Sequence, residues 1–515
     1  MKLRHLLFGV LAGVAFVACT NDNEPAGVTP VNGGDEVAAA SYLKVNFVMP
    51  GNAVTRADAE GDAFEYGTAA ENAVTSGTLF FFDGTTQVAD PYDLSNPTWG
   101  GETTATIEKV SDIIVVLENP LRNPTSVVAV LNASLSDLGL SKSSTLDDIK
   151  AVVNDFATGK TAEGKFVMSS SAYKGAENNV AAKIDQVFDT RAKAEAAPSV
   201  KIPVERVVAK VDVQEKSGGA ATNLANTETA SNKVMLDGEE VTLSVEINGW
   251  WLDNAASTSL LLKDISKNAT ADEDATNMRS YWAKPVPGTL KHGKIADATK
   301  DFKYVQENTK EVADSTQVVV AATLKANDAA VKLVKYLGKL YTETGFATEA
   351  INVLAHKYYV LDGTEYKTVS DADIVVTYEK TAPEGTTLKS YEAYAKLAKK
   401  TASATFYVKK SDGTYEAATD AAVTADLKGY VVQRWEDGQT YYFVPIKHDA
   451  NRYGVIRNHV YKLTINSING LGTPVPFKDV DQIVPIIPEE TETYISAEID
   501  ILAWKIVEQG VDLGK

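Results

Sequence analysis

Residues 41–49, Ser-Tyr-Leu-Lys-Val-Asn-Phe-Val-Met, set Leu43, Val45, Phe47 and Met49 at every second position. Successive side chains of extended backbone point to opposite sides, so this period of two predicts a strand with one buried face. Pro50-Gly51 ends it. The same signature recurs along the chain, which excludes an all-helical fold. Leu79-Phe80-Phe81-Phe82 runs into Asp83-Gly84, a hairpin signal, and 113–117, 126–131 and 166–169 are β-branched or aromatic runs between turn residues. Residues 200–213 are expected as one long strand, followed by 241–247, 318–324 and 373–378. Residues 441–446 and 460–465 are expected to pair across the intervening loop, and 494–504 to form the last strand, with nothing regular after it. Helical spacing is confined to 144–159, capped by Ser144, and to 387–400. The prediction is a mainly β protein of two β-sandwich domains with a few short helices.

The leader is distinct in kind. Lys2 and Arg4 precede an apolar run at 6–18, and Phe16-Val17-Ala18-Cys19 has the form of a bacterial lipobox. The run is too short to span a bilayer, so 1–19 is expected to be a secretory signal, with Cys19 becoming the lipidated N-terminus. Cys19 is the single cysteine, which leaves no internal disulfide to rely on. Residues 20–40 are polar with Gly and Pro and predict a flexible tether. Arg56 precedes a small, polar run at 57–62, where a cut would release the leader, the tether and the first strand together. The Ser-, Gly-, Thr- and Asn-rich stretch 214–233 sets a domain boundary near 215, dividing 57–214 from 215–515.

Charge and motif content narrow the function. Fifty Lys and Arg against 69 Asp and Glu give a net charge of −19, which repels phosphate backbones and argues against nucleic acid as a partner. His292, His356, His448 and His459 show no metal-ligand spacing, and Asp272-Glu273-Asp274 lacks the pattern of a calcium loop. Neither a nucleophile elbow, a phosphate-binding loop nor a His-Glu-x-x-His motif is present. Acidic pairs such as Asp147-Asp148 and Glu489-Glu490 have the form of solvated faces. The expectation is no enzyme, no cofactor and no metal. Trp250-Trp251 and Tyr441-Tyr442 are the aromatic pairs that a carbohydrate-binding surface would use, with sandwich core as their alternative place.

Three further stretches carry a resemblance: Pro203-Val204-Glu205-Arg206-Val207-Val208-Ala209-Lys210-Val211, Lys303-Tyr304-Val305-Gln306-Glu307-Asn308-Thr309, and Tyr453-Gly454-Val455-Ile456-Arg457-Asn458-His459-Val460-Tyr461. With the lipoprotein leader and the strand ahead of Arg56, they resemble the type V fimbrilins, pilus subunits of Bacteroidota. The Ile-Asp-Ile-Leu-Ala-Trp segment at the C-terminus and the length are most similar to the shaft subunit of minor fimbriae. The resemblance implies two transthyretin-like β-sandwiches and an outer-membrane lipoprotein precursor whose first strand an Arg-specific extracellular protease removes. It implies, further, that a neighbouring identical subunit fills the empty slot with its own strand, giving an extracellular fimbrium. Carried onto this sequence, the removed strand holds Leu43, Val45, Phe47 and Met49 within 41–56, and the cut lies between Arg56 and Ala57. The donor would be 494–507, with Ile495, Ile499, Ile501 and Trp504 as its anchors. Accessory, anchor or tip fimbrial proteins and host or bacterial surface ligands complete the implied partners. The alternative is an accessory or tip adhesin, or an anchored surface lipoprotein, that recognises glycans or host proteins.

Overall fold

Two local rules account for most of the elements. β-branched and aromatic runs become strands, and Gly or Asn at positive φ turns the chain between them, as at Gly84 with φ +64° and Asn132 with φ +57°. The computed structural model describes residues 41–50, 67–95, 107–117, 120–171, 180–215, 222–223, 233–265, 282–286, 288–449, 451–468, 470–478, 495–502 and 505–513. In chain order the main elements begin with β1 (Ser41–Pro50), α1 (Ala69–Asn72), β2 (Ser76–Asp83), β3 (Thr86–Ser95), β4 (Ile107–Leu117), β5 (Ser126–Leu131), α2 (Leu146–Lys150), β6 (Met168–Ser170), α3 (Arg191–Ala196), β7 (Val200–Arg206) and β8 (Val208–Glu215). Next come β9 (Lys233–Leu236), β10 (Glu239–Asp253), β11 (Lys303–Gln306), β12 (Gln317–Ala326), β13 (Leu333–Tyr336), β14 (Lys339–Thr342), α4 (Glu343–Ala355), β15 (Tyr359–Asp362), β16 (Glu365–Thr368), β17 (Ile374–Glu379) and β18 (Glu392–Lys399). The last are β19 (Tyr407–Lys409), β20 (Tyr415–Ala417), α5 (Asp420–Asp426), β21 (Gly429–Trp435), β22 (Gln439–Pro445), β23 (His459–Ile468), β24 (Ile495–Leu502) and β25 (Lys505–Leu513). The protein is mainly β with short helices, as the sequence predicts.

The first sheet runs β3-β2-β5-β6-β7-β1-β4 and encloses a core that includes Phe80, Phe82, Val128, Val130, Ile202 and Val204. A second sheet, β11-β8-β23-β24-β25, faces a third in which β10, β12 and β22 are neighbours. Val211 and Leu463 from one and Val245 and Val320 from the other meet in a single core, so this part is a sandwich of two sheets. A separate core around Phe346, Ile351, Ala393 and Phe406 lies under α4, and β16-β15-β19-β20 form a small sheet of their own. Among the described residues, no helix is long and apolar enough to cross a membrane.

Several sequence expectations change. The 200–213 run is two strands: β7 belongs to the first sheet and β8 to the second, with Val207 between them. Apolar residues alternate on both sides of the junction, Ile202 and Val204 before it and Ala209, Val211 and Val213 after it, so the pattern reads as one run. Residues 387–400 hold β18 where a helix is expected: Ala393, Ala395 and Leu397 are buried at period two, and pairing to β17 and β21 overrides the local helical spacing. The helix at 144–159 shrinks to α2, capped by Thr145 and not Ser144, since Thr145 accepts from Asp148 N while the Asp148 carboxylate takes the Thr145 amide. Strands β22 and β23 do not pair with each other; β22 lies beside β12 and β23 beside β8. The chain also continues in strand past 504, as β25.

Candidate functional site

β1 occupies a slot. It runs antiparallel to β4 from Ser41↔Leu117 to Met49↔Lys109 and parallel to β7 from Val45↔Val200 to Val48↔Pro203. Both of its ladder edges are therefore used. Leu43 and Val45 are 1% and 0% exposed and join the first core with Val115, Leu117, Ile202 and Val204. Each such side chain contributes roughly 1.5–3 kcal/mol when fully buried. Withdrawing β1 would open two rows of backbone donors and acceptors above an apolar trough, an arrangement that proteins keep covered. The side chains of Phe47 and Met49, and all of Cys19, Arg56 and Ala57, lie outside the described residues.

Where β7 gives way to β8, the chain passes from one core to the next, Val208 belonging to the first and Ala209 to the second. Charged side chains are buried at this change. Arg206 donates from Nε to the Glu71 carbonyl at 2.8 Å and from Nη1 to Asn458 Oδ1 at 2.9 Å, and its other amino group bonds the Asn72 side chain. Lys210 Nζ reaches Glu71 Oε1 at 3.0 Å and Tyr304 Oη donates to the same oxygen at 2.6 Å. Burial works to raise the Glu71 pKa, but the Tyr304 hydroxyl and then Lys210 outweigh it and hold the carboxyl below its usual range. Glu71 also closes the capping box of α1, so one carboxylate starts the helix and pins it to the seam.

A second cluster adjoins the first. Arg457 Nε donates to Glu307 Oε2 at 3.0 Å, and its amino groups donate to the carbonyls of Leu261 at 2.9 Å and Leu260 at 2.6 Å. Lys263 Nζ stands 3.3 Å from Glu307 and 3.8 Å from Glu205. All four side chains are at most 2% exposed. Burial pushes the Glu205 carboxyl up against the pull of Lys263 and Arg457; at Glu307 burial pushes the same way, but Arg457 and then Lys263 win and hold it down. Chemically, this is a clamp of compensated charges within the fold. Breaking one partner of such a set leaves an unpaired buried charge, which is why it ties its segments firmly.

The three stretches that carry the resemblance supply this seam: Glu205, Arg206 and Lys210 from the first, Tyr304, Glu307 and Asn308 from the second, Arg457 and Asn458 from the third. Asn308 and Val455 exchange backbone hydrogen bonds at 2.7 and 3.0 Å, and Asn308 Nδ2 donates to the Asn254 and Asp314 carbonyls. Gly454 stands at φ +114° with the Asn308 carbonyl where a Cβ would go. Sequence reasoning used these residues as separate marks and missed their meeting. The available signal was Glu205-Arg206 inside an otherwise β-branched strand, a charge pair where alternation calls for core.

Other candidates resolve differently. His448 and His459 do come together, with ring centroids 5.5 Å apart, His448 Nδ1 at 2.9 Å from Tyr461 Oη and His459 Nδ1 at 2.8 Å from the Arg457 carbonyl. Among the described residues no three His, Cys, Asp or Glu side chains are placed to hold a metal ion. Trp250, Trp251, Tyr441 and Tyr442 are 2–3% exposed, which withdraws them from any carbohydrate-binding surface. At the other end of the chain, β24 pairs antiparallel with β23 from Val460↔Leu502 to Lys462↔Asp500, and β25 pairs with both. Ile495, Ile499 and Ile501 lie on β24, their side chains outside the described residues along with all of Trp504.

The family described as Major fimbrial subunit protein type IV, Fimbrillin, C-terminal, matches residues 433–510. No curated protein matches the chain. Among solved structures, a cell adhesion protein so described provisionally, from Parabacteroides distasonis, is 13% identical with a TM-score of 0.41, covering 90% of this chain and 96% of its own. The tip fimbrial protein Mfa3 from Porphyromonas gingivalis, with a C-terminal truncation, is 13% identical with a TM-score of 0.32, covering 90% of this chain and 100% of its own. The fimbrial anchor protein Mfa2 of the same organism is 13% identical with a TM-score of 0.21, covering 55% of this chain and 77% of its own. At such scores these likenesses carry no further argument.

Proposed function

We propose that the chain, whose residues 433–510 match the fimbrillin C-terminal family, is a structural subunit of a surface fimbrium that polymerises by strand exchange. It is exported as an outer-membrane lipoprotein through Cys19, cut after Arg56 by an Arg-specific protease, and joined head-to-tail to identical subunits. Its two domains part between β7 and β8, since Ala209, Val211 and Val213 already lie in the second core. The observation that carries this reading is the position of β1: the first described strand, paired on both edges, with Leu43 and Val45 in the core. Its loss would leave a slot that only another strand can fill, which is the β-augmentation mode of recognition. The donor is the C-terminal stretch 494–507. A donor and a slot on different surfaces give a heterologous contact that propagates instead of closing.

The seam supports the same reading. α1 begins soon after Arg56, and Glu71 and Asn72 fasten it to Arg206 and Lys210. Cleavage at Arg56 would thus leave β1 held by its ladders and core contacts alone, while the remainder stays covalently tied to the fold. The test treats the purified full-length chain with an Arg-specific protease, runs it unboiled on a denaturing gel and sequences the new N-terminus. A ladder of multimers beginning at Ala57 is expected. Monomers alone after complete cleavage at Arg56 would overturn self-polymerisation, and an uncut Arg56 would overturn the processing site.

A further inference from the structure

The small sheet β16-β15-β19-β20 has two unlike faces. Tyr359 and Leu361 lie on one side of β15 by alternation, and the register adds Tyr366 opposite Leu361, Tyr407 opposite Tyr359, and Tyr415 opposite Lys409. Val360 and Val408, between them, pack against the core under α4, to which none of the four tyrosines belongs. The rings instead cover one another. Tyr366 and Tyr415 stack with centroids 4.1 Å apart and planes at 9°, while Tyr359 meets Tyr415 edge-on at 4.9 Å and Tyr366 meets Tyr407 at 5.0 Å. Each tyrosine is half-buried, and Leu361 beside them is 46% exposed. Among the described residues, none of the four hydroxyls takes a hydrogen-bond partner.

A cleft of about 950 Å³ adjoins this face. β15 pairs with β19 only at Tyr359↔Tyr407, and the cleft is lined by residues that continue each strand past that pair, Leu361 and Asp362 on one side and Thr405 on the other. Tyr407 lines it as well and joins it to the tyrosine array, with Lys367, Ser370 and Asp373 as polar lining. An aromatic face beside a cleft with a few converging polar groups is the composition of a small-molecule site.

We propose that this face and its cleft bind a neutral glycan. A hexopyranose would lay its C–H face on the tyrosine array and direct its hydroxyls to the free tyrosine oxygens and to Asp362. The chemistry disfavours an apolar or an anionic occupant. An apolar ligand would desolvate the hydroxyls without replacing their hydrogen bonds to water, at a cost for each. The charges lining the cleft are Asp362, Asp373 and Lys367, the last paired with Asp362 at 2.6 Å; their net negative charge, on a chain of net charge −19, favours a neutral over an anionic glycan. The site is remote in sequence from the slot of β1 and from β24, so the inference stands whether or not the chain polymerises by strand exchange.

The experiment titrates the full-length chain by calorimetry with maltohexaose, cellohexaose, β-1,4-mannohexaose, β-1,4-galactohexaose and chitohexaose. At least one should bind, and Tyr366→Ala should weaken it by about tenfold or more, a difference of about 1.4 kcal/mol. Tyr366→Phe, which keeps the stack and removes one hydroxyl, should retain most of the binding and shows that loss in the Ala variant is not unfolding. Thermal melting of each variant guards the same point. Silence from all five sugars overturns the proposal, as does undiminished binding by Tyr366→Ala. Self-association of the parent chain that Tyr366→Ala abolishes would overturn it too, by assigning the face to a second copy.

Discussion

Arg457 and Glu307 form an ion pair inside the protein, Nε to Oε2 at 3.0 Å, across 150 positions of sequence. The Arg457 guanidinium also serves the carbonyls of Leu260 and Leu261, so it joins three distant segments at one point. Replacing Arg457 with Ala leaves the buried Glu307 and Glu205 to share the single cation of Lys263, and the expected cost of the uncompensated charge is about 3–5 kcal/mol of unfolding free energy. Urea denaturation checks it; a loss below about 1 kcal/mol would mean that water reaches the seam.

Glu71 gives a pH dependence with a definite sign. Its folded pKa lies below the ordinary 4.5, so its contribution to stability is present above about 4.5 and disappears as pH falls through the lower folded value. Glu71→Gln should therefore be less stable than the parent at pH 7, with the gap closing in acid. Stability curves in urea between pH 7 and pH 3 would show it. A gap that does not change with pH would assign the effect of Glu71 to packing alone.

Leu43 tests the slot. In the uncut chain Leu43→Ala should cost about 2–5 kcal/mol, the range for truncating a buried leucine. After cleavage at Arg56 and polymerisation the same substitution should have no effect, because the strand that carries it has left. Persistence of the penalty in the polymer would show that β1 stays in place.

Gly454 is restricted by conformation as well as by space. With φ at +114° and the Asn308 carbonyl at the Cβ position, Gly454→Ala should cost at least about 1–3 kcal/mol. Unchanged thermal stability would show that the Asn308–Val455 backbone pair can shift to make room.

Deleting residues 494–515 should abolish the multimer ladder while leaving Arg-specific cleavage intact. Normal fibres from the shortened chain would move the donor strand elsewhere.

Much of the architecture was legible in the chain. The runs at 41–49, 126–131 and 318–324 are strands, and the Asp83-Gly84 turn closes a hairpin, because alternation, β-branching and turn chemistry act over a few residues. Where local pattern and long-range pairing disagreed, pairing prevailed: β18 takes residues that carry helical spacing, since its backbone groups bond to β17 and β21. The aromatic pairs Trp250-Trp251 and Tyr441-Tyr442 are core, and the half-buried surface array comes from Tyr359, Tyr366, Tyr407 and Tyr415, which no short window of sequence groups together.

By itself, the sequence determined the mainly β character, the position of the first strand and several of the turns. Each follows from the alternation of side chains or from backbone preferences within a few residues. Only the tertiary structure decided that Glu71, Arg206, Lys210, Tyr304, Glu307 and Arg457 form one buried seam. A carboxylate is buried stably only where cations from other segments arrive beside it, and that arrival depends on which strands pair, a property of the whole chain.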